Sequence, residues 1–249
     1  MRRATRITGI TLGVVAAILV AAILMIPPIL TKGPMPEALA SMESTDTVTV
    51  VDGRPITFTP VEATSSGLVI YPGALVEPRS YAPAAHALAN GGVFVAIVPM
   101  PLSFAILGSN RADGVIKDHP EVTDWVIAGH SLGGVMAARY VANHLETIGG
   151  LALWGAYPGD RGDLSSWSGV TTSIFGTLDG LTTVNDIEES RVRLPADAAF
   201  VAVEGGNHAY FGWYGDQRGD NPATIAREQQ QQIVVEGTAA VIRVVIEIE

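Results

Sequence analysis

Apolar and polar positions along the chain fall into short alternating blocks after one long apolar opening. From Ile7 to Thr31 there are 25 residues without a charge. Pro27 and Pro28 end any helix there, which leaves residues 7–26. Twenty residues rising about 1.5 Å each span about 30 Å, the thickness of a bilayer's hydrocarbon core. The run carries no polar stripe of the kind a soluble helix shows, only Thr8 and Thr11. Arg2, Arg3 and Arg6 precede it, which keeps the N-terminus cytoplasmic and turns the rest of the chain outward. Residues 1–32 are therefore expected to be a membrane anchor. The alternative is a cleaved signal peptide, with Ala38-Leu39-Ala40 as the nearest cleavage pattern and a secreted product.

Beyond the anchor, residues 33–45 carry Pro34 and Pro36 and little periodicity, and are expected to form a short stalk. The runs at 48–51 and 56–59 flank Asp52-Gly53, which predicts a hairpin. Strands are then predicted at 67–71, 93–98, 125–128, 151–154, 172–175 and 200–203. Helices are predicted at 81–89, 110–117 and 135–144, with another near the C-terminus around Gln229–Gln232. The apolar end at 240–249 fits either helix or strand. Short β-rich runs alternating with helices predict an α/β domain over 46–249, a mostly parallel sheet with helices on both faces and an antiparallel hairpin at its start.

Composition narrows the chemistry. Apolar residues make up 48% of the chain, enough for a sizeable core, and cysteine is absent, which removes disulfides and thiolate nucleophiles. The four basic residues around the anchor leave 11 basic against all 25 acidic residues in 33–249, a formal charge of −14. Such a surface repels phosphate backbones and argues against nucleic acid as a partner. The five histidines show no metal-ligand spacing, so neither metal nor organic cofactor is expected.

One motif carries chemistry. Gly129-His130-Ser131-Leu132-Gly133 is a G-x-S-x-G pattern between a predicted strand and a predicted helix. A serine on such a turn is thrust above the sheet edge, and flanking glycines let the backbone close around it. Downstream, His144 falls in the helix after the serine, too far along to reach it. His208 follows the predicted strand 200–203 at the sheet's carboxyl edge, where sites gather. Asp179 follows the strand before it and is the expected acid, with Asp160 and Asp163 as rivals one strand earlier. Oxyanion donors are expected from the N–H of Leu132 and from the loop Pro72-Gly73-Ala74-Leu75, with Ala74 first and Leu75 second. Leu75, Met100, Tyr210 and Phe211 are candidates for the substrate cleft.

With these residues in place, the chain resembles the bacterial α/β-hydrolases related to the dienelactone hydrolases, the group labelled α/β-hydrolase family 5. The resemblance covers about residues 67–233 and is carried by YPGALVEPRSYAP, IVPMPLSFAIL, GHSLGG, LWGAYP, FGTLDGLTT and GGNHAYFGWYGDQRGDNPATIAREQQ. It implies an α/β-hydrolase fold without a large cap and a Ser131–Asp179–His208 triad. Dienelactone hydrolases themselves use cysteine, so that specific activity does not carry over. Tyr210 stands where a polar residue such as glutamine is expected, which bears on substrate preference. The expected activity is hydrolysis of small or medium carboxylic esters through an acyl-enzyme on Ser131. An acyltransferase with the same triad, or a tethered binding module without chemistry, are the competing readings.

Overall fold

The computed structural model describes residues 29–62 and 64–248. The expected span at 7–26 lies outside them. Among the described residues no helix is long and apolar enough to cross a membrane.

Eight strands form one sheet: β1 Val48–Val51, β2 Ile56–Pro60, β3 Ser66–Tyr71, β4 Phe94–Ile97, β5 Asp124–His130, β6 Ile148–Trp154, β7 Val170–Gly176 and β8 Ala199–Val203. Their order is β1-β2-β4-β3-β5-β6-β7-β8. β1 pairs with β2, and β2 with β4, antiparallel; every other neighbour is parallel. The helices are α1 Pro36–Ala40, α2 Ala82–Asn90, α3 Ala112–Asp118, α4 Leu132–Ala142, α5 Val184–Ser190 and α6 Arg227–Ile248.

Strand periodicity sorts side chains to two covered faces. Leu68, Ile70, Val126, Ala128 and Trp154 pack with α2 and α6 on one side. Val69, Tyr71, Trp125, Ile127 and Leu153 pack with α3 and α4 on the other. Both faces are buried, so the central strands read as continuous apolar runs rather than alternating ones. This wrapping leaves the carboxyl ends of the parallel strands as the open rim.

The hairpin forms where expected, with β1 and β2 joined through residues 52–55. Three expectations need adjustment. The C-terminal segment is helix, continuous with α6. The helix after Ser131 stops at Ala142, and His144 lies just past it. Residues 33–45 are not a free stalk. Lys32 N–H donates to the Leu75 carbonyl (2.8 Å), its carbonyl accepts from Glu77 N–H (3.0 Å), and Met35 N–H donates to Trp213 O (2.8 Å). Ala38 in α1 is fully buried. The polar backbone of this segment finds its partners on the domain, which periodicity along the chain does not register.

Candidate active site

The site begins with a turn that only particular residues can make. β5 ends at His130, α4 begins at Leu132, and Ser131 between them holds φ 53°, ψ −128°. A side chain at this φ costs about 1–3 kcal/mol, a strain that recurs at functional sites. The surrounding glycines leave no choice of residue. A Cβ on Gly133 would sit 2.1 Å from the Tyr71 carbonyl oxygen, and one on Gly129 would sit 2.6 Å from the Gly133 carbonyl carbon. Ser131 N–H donates to Trp154 O across to β6 (3.1 Å), fixing the turn against the sheet.

Asp179 and His208 sit on the loops after β7 and β8, at the same rim. The His208 Nδ1 to Asp179 Oδ2 distance is 2.7 Å, with both side chains fully buried. The other carboxylate oxygen of Asp179 accepts from the N–H groups of Leu181 (2.8 Å) and Thr182 (2.7 Å). Three donors thereby meet the buried carboxylate, so that both of its oxygens are satisfied. His208 Nε2 is buried without a hydrogen-bond partner. The carboxylate and the imidazole are thus joined, whereas no hydrogen bond links the imidazole to the Ser131 hydroxyl. The ring of His130, the residue before Ser131, packs against that of His208 with centroids 4.6 Å apart.

The rival acids lie elsewhere. Asp160 is exposed and bonds Arg193 (2.9 Å), and Asp163 accepts from Ser165 N–H (2.9 Å). His144 stacks on Tyr140 with centroids 4.0 Å apart, and its Nδ1 lies 2.8 Å from that residue's carbonyl oxygen.

On the opposite side of Ser131, the loop after β3 presents Gly73 and Ala74. Among the described residues the N–H groups of Ala74 and Leu132 have no acceptor. Leu132 opens α4, so its N–H also lies at the positive end of that helix. Leu75 N–H is already given to Ser103 O (2.9 Å), which removes it as a second oxyanion donor.

Two of the proposed cleft residues are packed instead. Phe211 is fully buried and stacks on His130, with centroids 5.6 Å apart. The Arg227 guanidinium covers the Tyr210 ring at 4.0 Å. An aromatic beside a buried histidine serves packing as readily as a cleft, and for Tyr210 the approach of Arg227 on α6 decides it. Met100 lines a cavity of about 470 Å³ next to Gly73, whereas Leu75 is half-buried beside it.

Several residues escaped sequence reasoning. Asp220 accepts backbone N–H groups from Gly180 (3.1 Å), His208 (3.2 Å) and Ala209 (2.8 Å), tying the acid loop to the histidine loop. Gln230, fully buried on α6, clamps Asn207 through N–H to Oε1 (3.0 Å) and Nε2 to O (2.7 Å). Arg227 donates to the carbonyls of Ala209 and Gly212. Tyr81 places its hydroxyl 2.8 Å from His130 Nδ1. In the sequence, Arg227 and Gln230 stand out as part of the dense polar stretch 227–232 that opens α6.

A family profile described as alpha/beta hydrolase family matches residues 67–232. A search of curated proteins returns no match. Among solved structures, a predicted CIB-like hydrolase from Thermoplasma acidophilum superposes with TM-score 0.57 at 14% identity, covering 76% of this chain and 95% of that one. Est1E from Butyrivibrio proteoclasticus with ferulic acid bound gives 0.58 at 13%, covering 80% and 98%. At these identities the structures bear on the fold alone, and the family match spans well over half of the 249 residues. The chain belongs to the alpha/beta hydrolase family.

Proposed function

We propose that the chain is a serine hydrolase of carboxylic esters, with Ser131 as nucleophile, His208 as base and Asp179 as its orienting acid. The reading rests on the buried 2.7 Å pair of His208 and Asp179 at the same rim as a serine held at φ 53°. With Nδ1–H given to Asp179, Nε2 is the nitrogen left to take a proton. Ser131 then attacks the ester carbonyl as His208 accepts its proton. The oxyanion that forms meets the free N–H groups of Ala74 and Leu132, each such donor being worth about 10²–10³ in rate. Collapse expels the alcohol, protonated by His208, and leaves an acyl group on Ser131. Water, deprotonated by the same imidazole, releases the acid.

Residues 1–32 are read as a retained anchor that holds the catalytic domain outside the cytoplasm. The support is the uncharged run from Ile7 to Thr31 behind Arg2, Arg3 and Arg6.

A panel of p-nitrophenyl esters of graded acyl length tests the chemistry on the detergent-solubilised full chain. Turnover is expected to fall at least about a thousandfold in Ser131→Ala. Equal turnover by the two chains would remove the reading.

A further inference from the structure

The first described residues dock beside the oxyanion loop. Lys32 pairs with Val76 in a parallel bridge, with its N–H on Leu75 and its carbonyl taking Glu77 N–H. Thr31 Oγ1 donates to Ser103 Oγ (3.0 Å), joining this entry segment to the loop after β4. The point where the chain enters the domain is therefore the rim that carries the candidate site. Only five residues separate Ile26, the end of the expected span, from Lys32. Fully extended they reach no more than about 20 Å.

That rim also presents unusual side chains to solvent. Ile29 and Leu30 are 74% and 57% exposed, and Ile106 and Leu107, three and four residues past Ser103, are 55% and 56% exposed. Isolated apolar residues on a surface need no explanation, but these two adjacent pairs stand on the two segments that the Thr31–Ser103 bond joins. Thr31 and Ser103 themselves line the cavity that Gly73, Met100, Arg54 and Arg111 also line. Arg54 and Arg111 make no ion pair among the described residues, whereas Arg79 in the same cavity is engaged by Asp52 and Glu77. On a domain otherwise strongly acidic, this is a place where free positive charge and exposed apolar side chains coincide.

We propose that this rim rests on the lipid surface, with Ile29, Leu30, Ile106 and Leu107 in the headgroup boundary and Arg54 and Arg111 facing anionic headgroups. The inference builds on the reading of residues 7–26 as an anchor. A short leash holds the domain within about 20 Å of the bilayer, and the apolar patch and the two arginines select which side turns down. The mouth of the site then opens toward the membrane, so its substrates are esters that partition into lipid.

The absence of cysteine makes the test clean, since one introduced thiol carries the only label. The full chain is reconstituted as Leu107→Cys, as Ile106→Cys and, for the opposite sheet edge, as Leu145→Cys, each bearing an environment-sensitive fluorophore. The vesicles are phosphatidylcholine and phosphatidylglycerol with brominated acyl chains. Quenching at positions 107 and 106 is expected to exceed that at 145 by at least about twofold. Equal, solvent-like emission at all three positions in chains that stay with the vesicles after an alkaline wash would overturn the inference while leaving the anchor intact. Chains that wash off would overturn both. Phosphonate labelling of each variant at Ser131 reports that the site is still folded, independently of either result.

Discussion

The Tyr81 hydroxyl lies 2.8 Å from His130 Nδ1 and accepts the Gly73 N–H at 2.9 Å, so one buried oxygen ties the loop after β3 to the residue before Ser131. Burial holds the phenol well above its usual pKa, which keeps its proton available to donate to His130. Gly73 precedes the free Ala74 N–H, so this link sets where that donor points. Tyr81→Phe keeps the ring and loses the bonds. It is expected to lower kcat about tenfold with little change in KM, because the misplaced donor matters only to the transition state. Thermal unfolding should show a cost of about 1 kcal/mol for the lost hydrogen bonds. A wild-type kcat in the folded variant contradicts the link.

Asp179→Asn tests the acid. The substituted amide keeps the shape, but its NH2 can face Nδ1 and favour the wrong tautomer. A loss of about 10³–10⁴ in kcat is expected with a near-native melting curve, measured on the best ester of the panel. A loss below tenfold would move the acid role to another residue.

Gly133→Ala probes the turn itself. The added Cβ would meet the carbonyl oxygens of Tyr71 and Pro72 at 2.1 and 2.4 Å, and backbone cannot rotate away as a side chain can. Urea unfolding should show a loss of at least about 3 kcal/mol, or the chain should fail to fold. A stability within about 0.5 kcal/mol of the parent would mean that the turn is built differently.

His130 makes stability depend on pH. Burial first, then the neighbouring His208 charge, hold its pKa well below 6.5. In the unfolded chain His130 binds a proton below about 6.5, while in the folded chain it stays neutral, so the unfolded state binds more protons as pH falls. The contribution is whole above pH ~6.5 and drops by about 1.4 kcal/mol per pH unit below it, until the folded pKa is reached. Melting temperatures from pH 8 to 5 check this. The decline should be shallower in His130→Gln, and identical slopes would assign the acid sensitivity elsewhere.

Much of this arrangement was legible along the chain, for reasons particular to each part. The strand 125–128, the glycines around Ser131 and the helix after it are local demands, so the turn announces itself within a dozen or so neighbouring positions. Asp179 and His208 follow from strand order, since each stands just past a strand at one edge. Asp220 was not legible, because its meaning lies in Gly180 N–H, 40 residues away in sequence. Tyr81 looked like the start of an ordinary helix, and its hydroxyl gains a role only when β5 brings His130 beside it. Phe211 was misplaced for the same reason. Aromatic character is local, but whether a ring faces a cleft or a neighbouring imidazole depends on packing between distant segments. The docking of residues 32–45 was invisible because it joins distant positions: the Lys32 and Met35 backbones bond at 75, 77 and 213, and Ala38 and Met42 pack on the domain, which local pattern does not register.

The most direct measurement is the intact mass of the full chain after exposure to a fluorophosphonate. One phosphonyl group, mapped to Ser131 by peptide sequencing and absent from Ser131→Ala, is expected, with slower uptake in Asp179→Asn. A chain that takes up no reagent while fully folded, or takes it up at another residue, contradicts the account.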